Sequence, residues 1–233
     1  MRGALELSTS PSSPWLMWSV GGVGRPRASH TSPLASNLTD AGSRSSVGRD
    51  LLLMFLPGSA SLYYGDEIDV SVPSHLQSLD WAGIMAWSGS NEAGFSSHPP
   101  WLALGGLHKS YNVEALRLSS IASVSALAAH KRTEPPLYIN GLFNFEGDYH
   151  PTHASNLKVR YVDDDLLILE RFYPRRRQYL VVANLGHNAV TRDLSHYYYG
   201  GEVVASSHNN SGYIEFRNLQ LEPSEVLVCV LDK

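Results

Sequence analysis

Apolar residues recur at Leu118, Ile121, Val124, Leu127 and Ala128, the three-and-four spacing that lays one stripe along a helix, and this predicts an amphipathic helix over 118–132. His130, Lys131 and Arg132 at its end complement the helix dipole, and Pro135-Pro136 stop it. Beyond the prolines the period changes. Runs rich in Val, Leu, Tyr and Phe over 137–143, 157–161, 166–172, 178–184, 202–205, 213–216 and 225–231 alternate with turn residues, which predicts an all-β domain.

The earlier half reads differently. Trp15 to Gly21 is long enough for one buried strand and runs into Gly21-Gly22-Val23-Gly24. After a polar stretch over 29–48, Asp50 to Leu56 predicts a short apolar helix closed by Pro57-Gly58. Ser61-Leu62-Tyr63-Tyr64 then reads as a second buried strand ending at Gly65. Strand, helix, strand is the order of a parallel βαβ unit. Residues 71–113 carry Gly, Ser and Pro without a sustained period and predict a long connection. The expected organisation is a Ser/Pro-rich disordered lead-in over 1–14, an α/β part over 15–135 and a β-domain over 136–233 that folds as a unit.

Composition narrows the partners. With 43% hydrophobic and 17% charged residues in 233, the chain can bury a sizeable core. A net charge of -4 argues against nucleic acid, whose binding needs a basic surface to displace counterions. The single cysteine, Cys229, lies in an apolar run and reads as a buried strand residue, with no internal disulfide and no thiolate zinc site. The longest apolar run, Leu51 to Leu56, is too short for a transmembrane segment, and the first residues lack a signal-peptide pattern. Asn37 and Asn209 begin Asn-x-Ser/Thr sequons, candidate N-glycosylation sites.

Leu51 to Gly58 together with Ser61-Leu62-Tyr63-Tyr64-Gly65-Asp66-Glu67-Ile68 resembles the seventh helix and eighth strand of the α-amylase family of glycoside hydrolases. Met85-Ala86-Trp87-Ser88 with Asn91 to Ser96 is similar to the segment that α-glucosidases carry in the loop after that strand. Tyr111-Asn112-Val113-Glu114 and the helix to Arg132 match the eighth barrel helix. The resemblance covers most of 15–135; the β-domain fits by position and strand count. It implies an α/β then all-β fold, the C-terminal portion of a (β/α)8 TIM barrel (strands 7 and 8 with helices) followed by an antiparallel β-sandwich.

The family's hydrolases use two carboxyl groups, one attacking the sugar carbon and one protonating the leaving oxygen. The resemblance places those groups on strands four and five, whereas this chain is expected to begin near strand seven. A third carboxylate follows strand seven in an Asn-His-Asp motif. Matching Trp18 and Arg25-Pro26-Arg27 puts Gly22, Val23 and Gly24 at that motif, a degenerate catalytic loop. The resemblance therefore implies no enzyme, no catalytic residue and no cofactor, and is nearest in character to the heavy-chain glycoproteins (rBAT type) of heteromeric amino-acid transporters. Such proteins sit at the plasma membrane with an extracellular ectodomain that stabilises a light-chain amino-acid transporter subunit. The alternative is the C-terminal portion of an α-glucosidase acting on α-linked sugars in carbohydrate metabolism, and a third reading is a secreted carbohydrate-binding remnant.

Other clusters read as structure. Asp66 and Glu67 are adjacent and, on a strand, would point to opposite faces, so with Tyr64 and Gly65 they form a structural family motif. His150-Pro151-Thr152-His153 reads as a solvated loop, and no metal is expected. Asp163-Asp164-Asp165 and Arg175-Arg176-Arg177 read as caps on the turns of a hairpin. Trp81, Trp87 and Trp101 are expected to pack in core or interface, and Tyr197-Tyr198-Tyr199 to form either a half-buried strand edge or an exposed recognition patch. A partial barrel leaves strand edges uncovered, which predicts self-association.

Overall fold

The computed structural model describes residues 3, 6, 14–27, 40–70, 72, 79, 81–145 and 151–232. Strand β1 (Met17–Ser19) lies parallel to β2 (Ser59–Ser61), and helix α1 (Asp40–Phe55) connects them. Strand alternation turns Trp18 and its partner Ala60 toward the core and leaves Met17 73% exposed. The Trp18 indole donates to the Pro57 carbonyl at 2.6 Å, pinning β1 to the turn that precedes β2. A 3-10 turn (Asp66–Ile68) and the long connection lead to helices α2 (Val113–Leu116), α3 (Ser120–Thr133) and α4 (Pro135–Tyr138).

The rest is antiparallel sheet. β3 (Leu142–Phe145) pairs with β4 (Pro151–Ala154). Strands β5 (Leu157–Val162), β6 (Leu166–Arg171), β7 (Tyr179–Asn184), β9 (Gly200–Ser206), β10 (Gly212–Glu215) and β12 (Val226–Leu231) form one sheet in the order β10-β9-β12-β7-β6-β5. β8 (Val190–Arg192) and β11 (Leu219–Leu221) make a separate pair, the second layer of a sandwich. β6, β7 and β12 are nearly unbroken apolar runs because both faces of the sheet are covered. Leu167, Leu169, Val181, Val226 and Val228 meet Val47, Leu51 and Phe55 of α1 and Leu127 of α3. Ile168, Leu180, Val182, Leu227 and Cys229 meet Leu194, Phe216, Leu219 and Leu221 on the other face.

The core therefore runs across the boundary expected near Pro135-Pro136. Side chains tie it further: Ser123 donates to the Ser206 carbonyl at 2.8 Å, and His130 Nδ1 lies 3.0 Å from the Tyr179 hydroxyl. Each fully buried aliphatic side chain at such a contact is worth about 1.5–3 kcal/mol, so the β-domain draws much of one face's cover from α1 and α3.

Several local expectations change. The helix before Pro57 begins at Asp40, so the polar stretch ahead of Asp50 contains its first turns, and tertiary cover by Val47 and Leu51 outweighs the polar composition. Trp15 to Gly21 shrinks to the three-residue β1, and the strand expected over Ser61 to Tyr64 lies earlier, at Ser59–Ser61, with Trp15, Met17 and Tyr64 exposed rather than buried. α3 starts at Ser120, and Leu118 lies outside it, exposed. Leu137 belongs to α4 and not to a strand. Pro151 to Ala154 is a strand paired with β3 rather than a solvated loop; His150 lies outside the described residues, as does Asn37. Trp81 packs beside Leu102, whereas Trp87 and Trp101 are exposed. No helix among the described residues is long and apolar enough to cross a membrane.

Candidate functional site

The segment after β1 folds into a tight turn. Arg25 donates its backbone N–H to the Gly22 carbonyl at 3.1 Å, and Gly24 takes φ 75, a conformation that costs glycine little. Val23 is 76% exposed at the tip, and a β-carbon built on Gly22 or Gly24 would meet nothing within 4 Å. The turn offers open space and backbone groups but no carboxylate or imidazole.

Beneath it Arg27 is buried. Its Nε donates to the Ala82 carbonyl and Nη1 to the Tyr64 carbonyl, both at 2.9 Å, and the guanidinium lies over the Tyr63 and Tyr64 rings at 5.0 and 4.5 Å. Asp66 Oδ1 stands 3.8 Å from Nη1, while Oδ2 accepts the Tyr63 N–H at 3.0 Å. Asp66 and Glu67 sit on the 3-10 turn rather than on a strand, so the argument from opposite strand faces does not apply to them. Asp66 is buried and lies beside the Arg27 guanidinium. Gly65 at φ 79 lets the chain close here, since a β-carbon would fall 2.4 Å from Val70 Cγ2. The Tyr64 hydroxyl donates to the Gly83 carbonyl at 2.8 Å. Tyr64, Gly65 and Asp66 thus surround the buried arginine.

Burial raises the pKa of every carboxyl in this region. Asp66 is raised despite the Tyr63 N–H, Arg49 and Arg27; Glu67 is raised by burial and by Asp66. Asp69 is pushed up to about 6 and Asp50, on α1, to about 8, chiefly by burial, with Arg49 opposing. A folded-state pKa above the unfolded value means that the folded protein holds the proton longer. Asp50 therefore contributes stability that is full below about pH 4, the unfolded carboxyl range, and is lost as pH rises toward 8. Asp50→Asn should flatten that decline. The melting temperature of the variant is expected to gain on the parent steadily from pH 5 to 8, and a constant gap would contradict the assignment.

The sequence reading missed the buried polar residues that join the layers. Lys131 donates to the Met54 and Leu56 carbonyls at 2.7 and 3.0 Å, and Arg171 to the Phe55 and Ile139 carbonyls at 3.0 and 2.9 Å. Both titrate low because of burial, Lys131 at about 8 and Arg171 at about 9. Glu170 is buried on the opposite face, held by Arg160 and Tyr198. A Glu-Arg pair closing the apolar run from Leu166 was the available signal. Asp163 accepts the Asp165 and Leu166 N–H groups at 2.9 and 2.6 Å, so the acidic run caps the β5–β6 turn. Cys229 is buried, its thiol pushed up to about 12 by desolvation. Asn209 is exposed, at φ 61. Among the described residues no group of three His, Cys, Asp or Glu side chains could hold a metal ion.

A parallel strand pair carrying helices, packed on an antiparallel sandwich, is the fold of the C-terminal part of an α-amylase-type protein. Isomaltulose synthase from Klebsiella sp. LX3 superposes with a TM-score of 0.69 over 94% of this chain and 43% of its own, at 16% identity. Bacillus licheniformis trehalose-6-phosphate hydrolase superposes at 0.68 over 95% of this chain and 44% of its own, at 15% identity. In sequence the chain is 31% identical over 117 residues to the amino acid transporter heavy chain SLC3A1 of Mus musculus, a match spanning 46% of this chain and 16% of that protein. The chain thus spans less than half the length of the relatives it resembles. No family model matches it.

Proposed function

We propose that this chain is a non-catalytic α-amylase-like scaffold, part of the ectodomain of a heavy-chain subunit that supports a light-chain amino-acid transporter at the extracellular side of the plasma membrane. The observation that carries the first half is the turn Gly22-Val23-Gly24. The resemblance matches it to the third carboxylate motif, it carries no acidic or hydrogen-bonding side chain, and Asp66 is buried against Arg27. The second half is supported by the 31% identity to a transporter heavy chain.

Binding of light-chain subunits tests the partner. Immobilised chain is expected to retain at least one light-chain amino-acid transporter subunit from detergent solution against an uncoupled-resin control; retention of none would contradict the heavy-chain reading. A second reading, the C-terminal portion of an α-glucosidase, draws on the likeness in fold to a hydrolase and a synthase acting on sugars. It requires turnover of an α-glucoside by the protein that carries this chain.

A further inference from the structure

The face of the sandwich remote from α1 and α3 holds a pocket of about 180 Å³ between β5, β6 and the turn after β8. Its construction starts with a β-bulge. Val159 pairs with Leu169 and Tyr161 with Ile168, so Arg160 is the extra residue. Strand alternation would turn Arg160 and Tyr161 to opposite faces, but the bulge brings both to the pocket, the re-aiming that bulges produce near binding sites. Arg160 is then locked, with Nη2 2.6 Å and Nε 2.7 Å from Glu170 Oε2 and Nε 2.8 Å from the Tyr198 hydroxyl.

The opposite wall is the tyrosine turn. Tyr197 and Tyr198 both donate backbone N–H to the Leu194 carbonyl, at 2.9 and 3.0 Å, so this segment is a turn and not a strand edge. Tyr198 packs inward on Phe216, leaving Tyr197 61% exposed at the mouth. The floor is Leu166, Ile168 and Leu194. An apolar cavity of about 150 Å³ accepts a benzene ring, so this pocket has room for one ring with a substituent.

Arg192 on the rim differs from Arg160. Its guanidinium lies 5.4 Å over the Tyr161 ring, and its Nη2 reaches only the Tyr161 hydroxyl at 3.4 Å and Asp163 Oδ2 at 3.8 Å. Asp163 Oδ1 accepts two N–H groups of its own turn and Oδ2 accepts the Tyr161 hydroxyl at 2.7 Å, while Asp193 accepts the Ser195 N–H at 2.8 Å. The half-exposed Arg192 fork is therefore the rim group able to receive an anion in bidentate fashion.

We infer that this pocket binds a single aromatic ring bearing a carboxylate, the ring between Tyr161 and Tyr197 over the aliphatic floor and the carboxylate on Arg192. This inference does not depend on the heavy-chain reading. The same chemistry is offered by a free aryl acid and by a peptide ending in phenylalanine.

Amide chemical shifts of the full chain titrated with N-acetyl-phenylalanine, its neutral amide and a pentapeptide ending in phenylalanine test the inference. The acid is expected to shift the amides of Leu166, Leu194 and Tyr197 saturably, and the neutral amide to bind at least tenfold more weakly. Arg192→Gln and Tyr197→Ala should each weaken the acid about tenfold, a change of about 1.4 kcal/mol, with shifts elsewhere unchanged. Tighter binding of the pentapeptide points to a protein terminus as source, and equal binding to a free acid. No shift at these amides at 10 mM acid, or equal binding of acid and amide, overturns the inference.

Discussion

Arg171→Ala is expected to lower the unfolding free energy by about 2–4 kcal/mol, since each buried carbonyl left dry costs about 1–3 kcal/mol. The guanidinium is buried without a carboxylate partner among the described residues and donates to the carbonyls of Phe55, Leu137 and Ile139. The first belongs to the last turn of α1, which has no basic residue of its own to cover its orphan carbonyls. The other two belong to α4 and the residue after it. Truncation leaves these acceptors dry and opens a void between helix and sheet. Relief of the arginine's own desolvation offsets part of the loss, and Arg171→Met separates the terms because it removes the charge and keeps most of the volume. Urea unfolding should rank parent above Met above Ala. A loss under about 1 kcal/mol for the alanine variant, the scale of an ordinary neutral hydrogen bond, would mean that Arg171 does not join the layers.

Gly58→Ala should cost about 2–3 kcal/mol, at the upper end for a strained backbone position. Gly58 takes φ 99, and its β-carbon would stand 2.2 Å from the Leu16 carbonyl oxygen. That oxygen accepts the Ser59 N–H at 2.9 Å, the contact that starts the β1–β2 pairing. Alanine can be accommodated only if the strands separate, which would also disturb the Trp18 bond to Pro57. The readout is twofold: a lower melting temperature, and faster amide exchange at Ser59 and Ser61 than in β6 or β12. An unchanged melting temperature would contradict the close approach of Gly58 to Leu16.

The long β runs were legible because β6, β7 and β12 are nearly unbroken apolar runs, and each lies within a residue or two of its expected span. β8 and β11 were not, since three-residue strands with one or two apolar side chains leave almost no period to detect. The start of α1 was hidden for another reason: its first turns are polar, and the helix is held by packing on the sheet rather than by propensity. The Gly22-Val23-Gly24 turn stood out through a resemblance in the residues around it. The buried arginines Arg27 and Arg171 did not, because their role depends on carbonyls and rings far away in the chain. The pocket was hidden by its bulge, which no alternation pattern reveals in advance.

The central proposal is that this chain uses its carboxylates and its glycine turn as structure and turns over no α-glucoside. The retaining mechanism needs two carboxyl groups about 5 Å apart across the scissile bond, and a single acid restored at the turn would not supply them. Gly24→Asp is a clean probe, because open space surrounds the position and aspartate tolerates the left-handed backbone better than most residues. Parent and variant are assayed with a chromogenic α-glucoside beside a mock purification that sets the level of host glucosidase. Both are predicted to release chromophore at the mock rate, and release by the parent chain above that rate would contradict the account.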